Sequence, residues 1–558
     1  DRLGAQAVGL FAGGHDVKGK QKEELDVKGI ESFVKQHTKE VDAFAVSSYF
    51  SVYNPSHEQR VKRIIKEIAE KPVVCGHELS EKLDSVKRAA TASLNAKLIP
   101  EIKKLIDGII TCMKELDLKI PLFIVKGDGS IVSYSIAQER PIETILSGPA
   151  ASAIGAKDLG KQKTFIVIDI GGTSTDVGMC KDETLKINPL GVKINDIYTH
   201  VNALDMVTIA LGGDSKISFR DDEITVGPDR VLPMCRLALQ YPRVGNYLRA
   251  LPTLYIITEE LQDYIDFAYI DERNKRIDSY NPETELQQRI IEELRKGPMN
   301  IKTLSENLNT NCIKLRRVIK ELNDKKIINW AGFTPTDLGH SMDLVEKWDK
   351  MSSKNVFKFI CRVLNKDEEL IRQKIEDEIY KKLLISVFDV MRGESVYQYP
   401  AGEIARTIVY SKQNSLFSLS SKFNIPIIAV GAPAKIFTNK INKFIDCHVI
   451  IPDNHEVANA VGAAMGKIVI RTKGKIECDN KLAQRPVFKV YNFMGITEFV
   501  NLESAYSFFL ETGKSKLEAE AKYSGAKEYV IKEYKKEYDD DKYYYKMDIE
   551  LIAYGNPF

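Results

Sequence analysis

The run Phe165-Ile166-Val167-Ile168-Asp169-Ile170, followed directly by Gly171-Gly172-Thr173, restricts this chain more than any other stretch. A strand that is apolar on both faces suits the middle of an α/β sheet whose two sides are covered. The glycines after it permit a sharp turn and let backbone N–H groups approach an anion closely. Through Asp169-Ile170-Gly171-Gly172-Thr173-Ser174-Thr175-Asp176, Thr173 and Thr175 add hydroxyl donors and Ser174 lies in the same turn. Asp169 stands where a carboxylate can hold a hydrated Mg²⁺, or orient an attacking group, beside a phosphate chain. The alternative is a tight hairpin whose glycines serve geometry alone. The aspartates at both ends and the two threonines favour the phosphate reading.

Composition narrows the function classes. The chain has 558 residues, enough for about three or four domains. Lys and Arg total 80 against 78 Asp and Glu, so a whole-chain electrostatic grip on nucleic acid or an anionic membrane is not expected. No apolar run approaches the roughly 18 residues that a membrane-crossing helix needs, and no signal peptide opens the sequence. The eight cysteines form no CxxC pair, which leaves no zinc or dithiol signature. Dispersed among apolar stretches, they read as reduced core residues of a cytoplasmic protein. No Gly-x-Ser-x-Gly elbow or His-Glu-x-x-His pattern supports serine-hydrolase or zincin chemistry.

Five regions are expected. Residues 1–160 alternate strands and helices as an N-terminal α/β block. Its expected elements include a strand in 41–50, a helix over 58–70, a strand over 71–75, and a long helical region over 84–115. In that last region Leu94, Leu98, Ile102, Leu105 and Ile109 are spaced for one buried stripe. Residues 161–280 form a second α/β block carrying the phosphate motif. Residues 281–345 read as a winged-helix-like insertion: three short helices, then a hairpin wing over 329–334. Residues 346–480 complete the second block, and 481–558 form a small α+β C-terminal domain. There Tyr545, Met547, Ile549 and Leu551 alternate with Lys546, Asp548 and Glu550, the period of a half-exposed strand.

Two further small-residue segments bear on function. Ile427-Ile428-Ala429-Val430 runs into Gly431-Ala432-Pro433-Ala434, and a helix starting there could present its N-terminus to a nucleotide. Val457-Ala458-Asn459-Ala460-Val461-Gly462-Ala463-Ala464 is a small-residue helix suited to close packing. A phosphate hairpin, a small-residue turn and an Ala/Gly helix, in that order, resemble the actin-like ATPase superfamily of sugar kinases, Hsp70 and actin. More narrowly, the chain resembles the A-type subunit of the hydantoinase/oxoprolinase family. The resemblance rests on Gly76–Ser80, Arg88–Ala96, Thr144–Ala151, Asp169–Asp176 and Gly332–Asp337, and runs from about residue 13 to 470.

The resemblance implies an actin-like ATPase core and ATP with Mg²⁺ as cofactors. It implies phosphorylation of a carbonyl oxygen, followed by hydrolysis of a cyclic amide of the hydantoin or oxoproline type. Carboxylation of a ketone is the alternative chemistry, and a non-catalytic ATP-binding regulator the alternative role. Asp169 would organise Mg²⁺ through water and act with Asp176. Gly171, Gly172, Thr173, Ser174 and Thr175 would hold phosphates, with Gly212, Gly213, Asp214 and Ser215 closing the phosphate end. Gly431, Ala432, Pro433 and Asn459 would face the adenosine. A B-type partner subunit and a small cyclic amide or ketone are implied as partners.

Departures from the family pattern set further expectations. Members usually open with a second Asp-x-Gly-Gly-Thr hairpin, and this chain, which begins with Asp1, has one copy only; a missing N-terminal unit is expected. Leu211-Gly212-Gly213-Asp214-Ser215 replaces the family's Gly-Gly-Gly-Ser form, so Asp214 is a metal or substrate group, or a turn residue. His15 beside Asp16, and His77 beside Glu78, could each supply a general base or metal ligand, or be hydrogen-bonded loop histidines. The insertion carries Lys302, Lys314, Arg316, Arg317, Lys320, Lys325 and Lys326, but glutamates offset them, so protein contact or structural filling is favoured over DNA binding.

Overall fold

A computed structural model of the chain describes residues 4–557 apart from 189, 195–196, 221–222, 346, 393–400, 412–418, 420, 439, 482 and 540–543. The chain divides into two compact units. Unit one comprises Asp1–Gly155, Lys186–Asp205 and Asn459–Phe558; unit two comprises Ala156–Leu185 and Met206–Ala458. Among the described residues no helix is long and apolar enough to cross a membrane.

Unit two is built on the apolar run that opened the sequence reading. Phe165–Ile170 is a strand whose residues are buried except for the half-buried Asp169. It pairs antiparallel with Thr175–Lys181 on one side and parallel with Ile427–Val430 on the other. Met206–Ile209 and Val449–Ile450 extend the sheet at its two ends. Helix Glu368–Arg392 lays Ile371, Ile375, Ile379, Leu383 and Val387 into the core, a buried row repeating every four residues. Burying β-branched and aromatic side chains on both sheet faces is the dominant stabilising term here.

The region from 267 to 332 has its own core. Ile290, Leu294, Ile301, Leu304, Leu315, Ile319 and Leu322 close on one another, separate from the main cluster of unit two. Each of its three helices starts on a side chain that accepts a backbone N–H: Thr284 from Gln287, Asn300 from Thr303, and Asn311 from Lys314. The expected wing is not a local hairpin. Asn329–Gly332 is a single strand that pairs antiparallel with Phe267–Tyr269 and parallel with Leu232–Pro233. Its partner precedes the helices, so the pairing begins upstream of residue 281.

In unit one, Phe44–Val46 and Val73–Cys75 form a short parallel pair next to helices Val27–His37 and Ser56–Ile68. Helix Ser85–Glu115 runs 31 residues. The expected stripe along it is off by one position beyond Ile102: Leu105 is 57% exposed, while Ile106 is fully buried. Ile102, Ile106 and Ile110 are the residues that meet the hairpin of Phe123–Val125 and Ile131–Ser133, because that hairpin's apolar face lies along their side of the helix. The C-terminal sheet has five antiparallel strands in the order Gly495–Phe499, Phe488–Asn492, Ile468–Cys478, Tyr545–Asn556, Glu528–Asp539. Tyr545, Met547, Ile549 and Leu551 face helix Leu502–Tyr523, as their alternation requires. The central strand begins at Ile468, ahead of residue 481, since Ile468 to Cys478 pair along the whole of Tyr545–Gly555. The acidic turn expected at 539–541 lies largely outside the described residues.

Candidate functional site

Three segments far apart in the sequence meet at the end of the central strand of unit two. The first is the hairpin itself. Asp169 pairs across from Asp176, and the turn closes through a hydrogen bond of 2.9 Å from Gly171 N to Ser174 O. The second is the loop 211–215, which docks on that turn: Gly213 N donates to Gly171 O at 3.0 Å and Asp214 N to Gly172 O at 2.7 Å. The third is the turn after Ile427–Val430. A Cβ on Gly431, at φ +93°, would lie 2.1 Å from Ile170 O and 3.0 Å from Asp169 Oδ1, so only glycine allows this approach.

The packing is equally tight between the second and third segments. A Cβ on Gly213 would sit 2.7 Å from Thr336 Oγ1 and 3.0 Å from Pro433. Thr336 donates both its N–H (3.0 Å) and its hydroxyl (2.7 Å) to Gly213 O. The helix that carries Thr336 is fixed by the buried Asp337 carboxylate, which accepts from Thr334 N and Oγ1 at the helix start and from Met234 N, Cys235 N and Ser353 Oγ. The motif Gly332–Asp337 therefore acts as the buttress of the loop. His455 does the same for Gly431, placing Nδ1 2.9 Å from Gly431 O while its own carbonyl accepts Gly431 N.

Within this frame the expected residues divide into two kinds. The N–H groups of Gly172 and Thr173 donate to no acceptor among the described residues, and Thr173 is exposed, so this turn can receive an anion. Thr175 and Ser215 serve the frame instead. Thr175 Oγ1 donates to Leu211 O at 2.7 Å, and Ser215 Oγ accepts Gly212 N at 2.9 Å. Thr175 is fully buried and its hydroxyl is already engaged, so it anchors the loop in place of a phosphate. Asn459, the second residue of the helix Ala458–Ala464, belongs to unit one, and its Oδ1 accepts Ala460 N. The close-packing expectation for that helix holds: a Cβ on Gly462 would fall 1.8 Å from Ala151 O.

Acidic groups gather around the turn. Burial raises Asp176 above the usual carboxylate range; a bond from Thr208 Oγ1 at 2.5 Å opposes this, and Asp169 adds to it. Burial likewise raises Asp214, against the pull of Arg230, whose guanidinium lies 3.5 Å away. Its Oδ2 would be 3.0 Å from a Cβ on Gly172, so Asp214 faces the turn. Carboxylates concentrated in a partly dry pocket repel one another unless a cation joins them, which is the electrostatic setting a divalent ion suits.

The histidine expectations change partners. His77 binds Glu58, not Glu78: Nδ1 lies 2.6 Å from Glu58 Oε2. Glu78 accepts from Lys62 Nζ at 2.6 Å and from Cys75 N at 3.1 Å. Glu58, His77 and Cys75 place one ligand-type atom each within 4.8 Å of one another. The Cys75 thiol, however, is pushed far up by burial and donates to Glu58 O, and both Glu58 oxygens already accept protein N–H groups. The donor set fits a carboxylate-held imidazole better than a metal. Asp16 accepts Lys18 N and Lys20 N, while His15 meets Ser56 and packs against His57 with ring centres 4.4 Å apart and planes tilted by 46°. In the insertion, Arg316 is bound to Asp263 and Asp266, which removes it from any basic face.

Comparison with known proteins finds similarity to one family over part of the chain. Residues 5–69 match the model of the hydantoinase/oxoprolinase N-terminal region, and residues 88–233 match that of hydantoinase/oxoprolinase. The 5-oxoprolinase 1 of Arabidopsis thaliana is 29% identical over 197 residues, which is 35% of this chain and 15% of that protein. The caprolactamase subunit alpha of Pseudomonas jessenii is 31% identical over 199 residues, or 34% of this chain and 28% of that one. The match thus spans less than a third of either relative's length. The crystal structure of the ATP-dependent caprolactamase from Pseudomonas jessenii superposes with a TM-score of 0.58 at 15% identity, covering 97% of this chain and 69% of that one. The α/β fold is accordingly that of the caprolactamase structure. Over residues 5–69 and 88–233, then, the chain is similar to the hydantoinase/oxoprolinase family.

Proposed function

We propose that the chain is the ATP-binding subunit of an enzyme that hydrolyses a cyclic amide at the expense of ATP. The observation that carries this reading is the convergence of Gly171–Thr173, Gly212–Asp214 and Gly431 at Asp169. An unstrained lactam carbonyl resists water; converting its oxygen into a phosphate leaving group removes that resistance, and ATP supplies the phosphoryl group. The chain's own residues then have defined tasks. The Gly172 and Thr173 N–H groups, with the Thr173 hydroxyl, take phosphate oxygens. Asp169, half-buried at the strand end, would hold Mg²⁺, which would neutralise phosphate charge, and would orient the attacking oxygen, with Asp214 on the facing loop as a second anionic support. Asp176, raised by burial and bonded to Thr208, fixes the far side of the hairpin.

The family relatives that carry names such as 5-oxoprolinase and caprolactamase support the same chemistry. One relative is named as a subunit, which supports a B-type partner that completes the hydrolysis. Calorimetric titration with Mg-ATP tests the nucleotide part. Binding that disappears in Asp169→Ala, with an unchanged unfolding midpoint, is the expected result. Equal binding by the variant would remove Asp169 from the site.

A further inference from the structure

Unit one contains a cavity of about 640 Å³, within the range that small-molecule sites occupy. One wall comes from the turn after helix Gly76–Leu79 and the other from the C-terminal sheet. His77 lies on this wall. Its Nδ1 is fixed by Glu58, whose side chain is wholly buried and also accepts His77 N at 3.0 Å and Ser48 N at 2.7 Å. Burial opposes ionisation of Glu58, but the bonds from His77 outweigh it and hold the carboxyl below its ordinary range. An ionised acceptor at Nδ1 selects the tautomer with the proton there, so in the neutral imidazole Nε2 carries the lone pair.

The charge around the cavity is unbalanced. Glu81 is taken by Lys516 at 2.6 Å, Glu550 by Lys473 at 3.3 Å, and Asp548 by Lys546 at 3.0 Å. Lys82 has no carboxylate partner among the described residues. It is held below the usual lysine range by desolvation and then by repulsion from Lys473 and Lys87, the mark of a cation among cations. Tyr53 and Tyr491, with ring centres 5.3 Å apart, supply an apolar surface to the same cavity.

We propose that this cavity is a ligand site in its own right, one that takes a small organic carboxylate bearing an N–H or O–H donor. Lys82 faces the carboxylate, His77 Nε2 accepts from the donor, and the tyrosines cover the carbon skeleton. Glu58 is a positioning residue that sets the imidazole tautomer.

Three matched probes test the site on the full chain labelled with ¹⁵N-histidine. N-acetylglycine has both features, N-acetylsarcosine lacks the N–H, and N-acetylglycinamide lacks the charge. With about 10 mM N-acetylglycine, a millimolar-range probe, the His77 Nε2 resonance should move, while the other two leave it near its free position. The resonance is assigned from its loss in His77→Gln. Lys82→Ala, an exposed substitution, should weaken N-acetylglycine binding about tenfold, the effect of losing one ion pair of roughly 1.4 kcal/mol. Glu58→Gln should alter the Nδ1 and Nε2 shifts of the free protein by releasing the tautomer. An unmoved His77 resonance, equal binding of all three probes, or an unchanged affinity in Lys82→Ala would each overturn the proposal.

Discussion

Gly212→Ala is the sharpest test of how the candidate phosphate site is assembled. A Cβ at this position would lie 2.5 Å from Gly172 O and 2.7 Å from Gly171 O, both backbone atoms of the hairpin turn. Ordinary C···O contacts are about 3.4 Å, so the loop must lift by roughly 1 Å. Those same two carbonyls accept Asp214 N at 2.7 Å and Gly213 N at 3.0 Å. Lifted by that amount, neither remains a hydrogen bond, and at about 0.5–1.5 kcal/mol each the loss is about 1–3 kcal/mol. Urea unfolding should register that loss, and calorimetry should show Mg-ATP affinity falling about tenfold or more, because Asp214 leaves its place facing Gly172. Gly108→Ala is the internal control: it lies inside helix Ser85–Glu115 with nothing within 4 Å of its Cβ, and should gain about 0.5–1 kcal/mol. Wild-type stability and nucleotide affinity in Gly212→Ala would refute the docking of loop 211–215 on the turn.

Asp266 is fully buried and accepts from Lys216 and Arg316 at 2.5 Å each, so Asp266→Asn should cost about 3–5 kcal/mol in urea unfolding by leaving two cations uncompensated. Burial pushes its carboxyl up, but Lys216 and Arg316 prevail and hold it below the ordinary range. The unfolded chain therefore binds this proton first, and the contribution is complete above the ordinary carboxylate pKa and lost as pH falls through the native one. His200 behaves differently: burial pushes it down to about 4, while the unfolded imidazole titrates near the ordinary 6.5. Stability should fall as pH drops from about 6.5 towards 4, since the unfolded chain takes the proton and the native one does not, and His200→Gln should flatten that part of the stability–pH curve.

What could be read from the sequence was whatever depends on neighbours along the chain. Phe165–Ile170 and its glycine turn, the helices at 285–294, 301–307 and 312–324, and the alternation of Tyr545 to Leu551 all follow from local periodicity and capping. Contacts between distant segments were not legible. Glu58 holds His77 across 19 positions, whereas the adjacent Glu78 turns to Lys62, because helix Ser56–Ile68 and strand Val73–Cys75 run side by side. The wing strand pairs with residues upstream of its helices for a similar reason, since register is set by the apolar faces that the whole sheet must bury. In the candidate site, the small residues at 171–172, 212–213 and 431 were visible, but Thr175 and Ser215 as anchors of the frame were not. A hydroxyl beside glycines has the same sequence signature whether it donates to a phosphate or to Leu211 O. The buttress through Thr336 and Asp337 was signalled only as a motif, with no indication of what it supports.

Coupled turnover tests the central claim most directly. The chain, combined with a B-type family subunit, Mg²⁺, ATP and a cyclic amide such as 5-oxoproline, should release inorganic phosphate and ring-opened amino acid in equal amounts. Both should fall by orders of magnitude in Asp169→Ala, because phosphoryl transfer depends on positioned charge at that carboxylate. Phosphate release that ignores the cyclic amide, or ring opening that proceeds at the same rate without ATP or in Asp169→Ala, would contradict it.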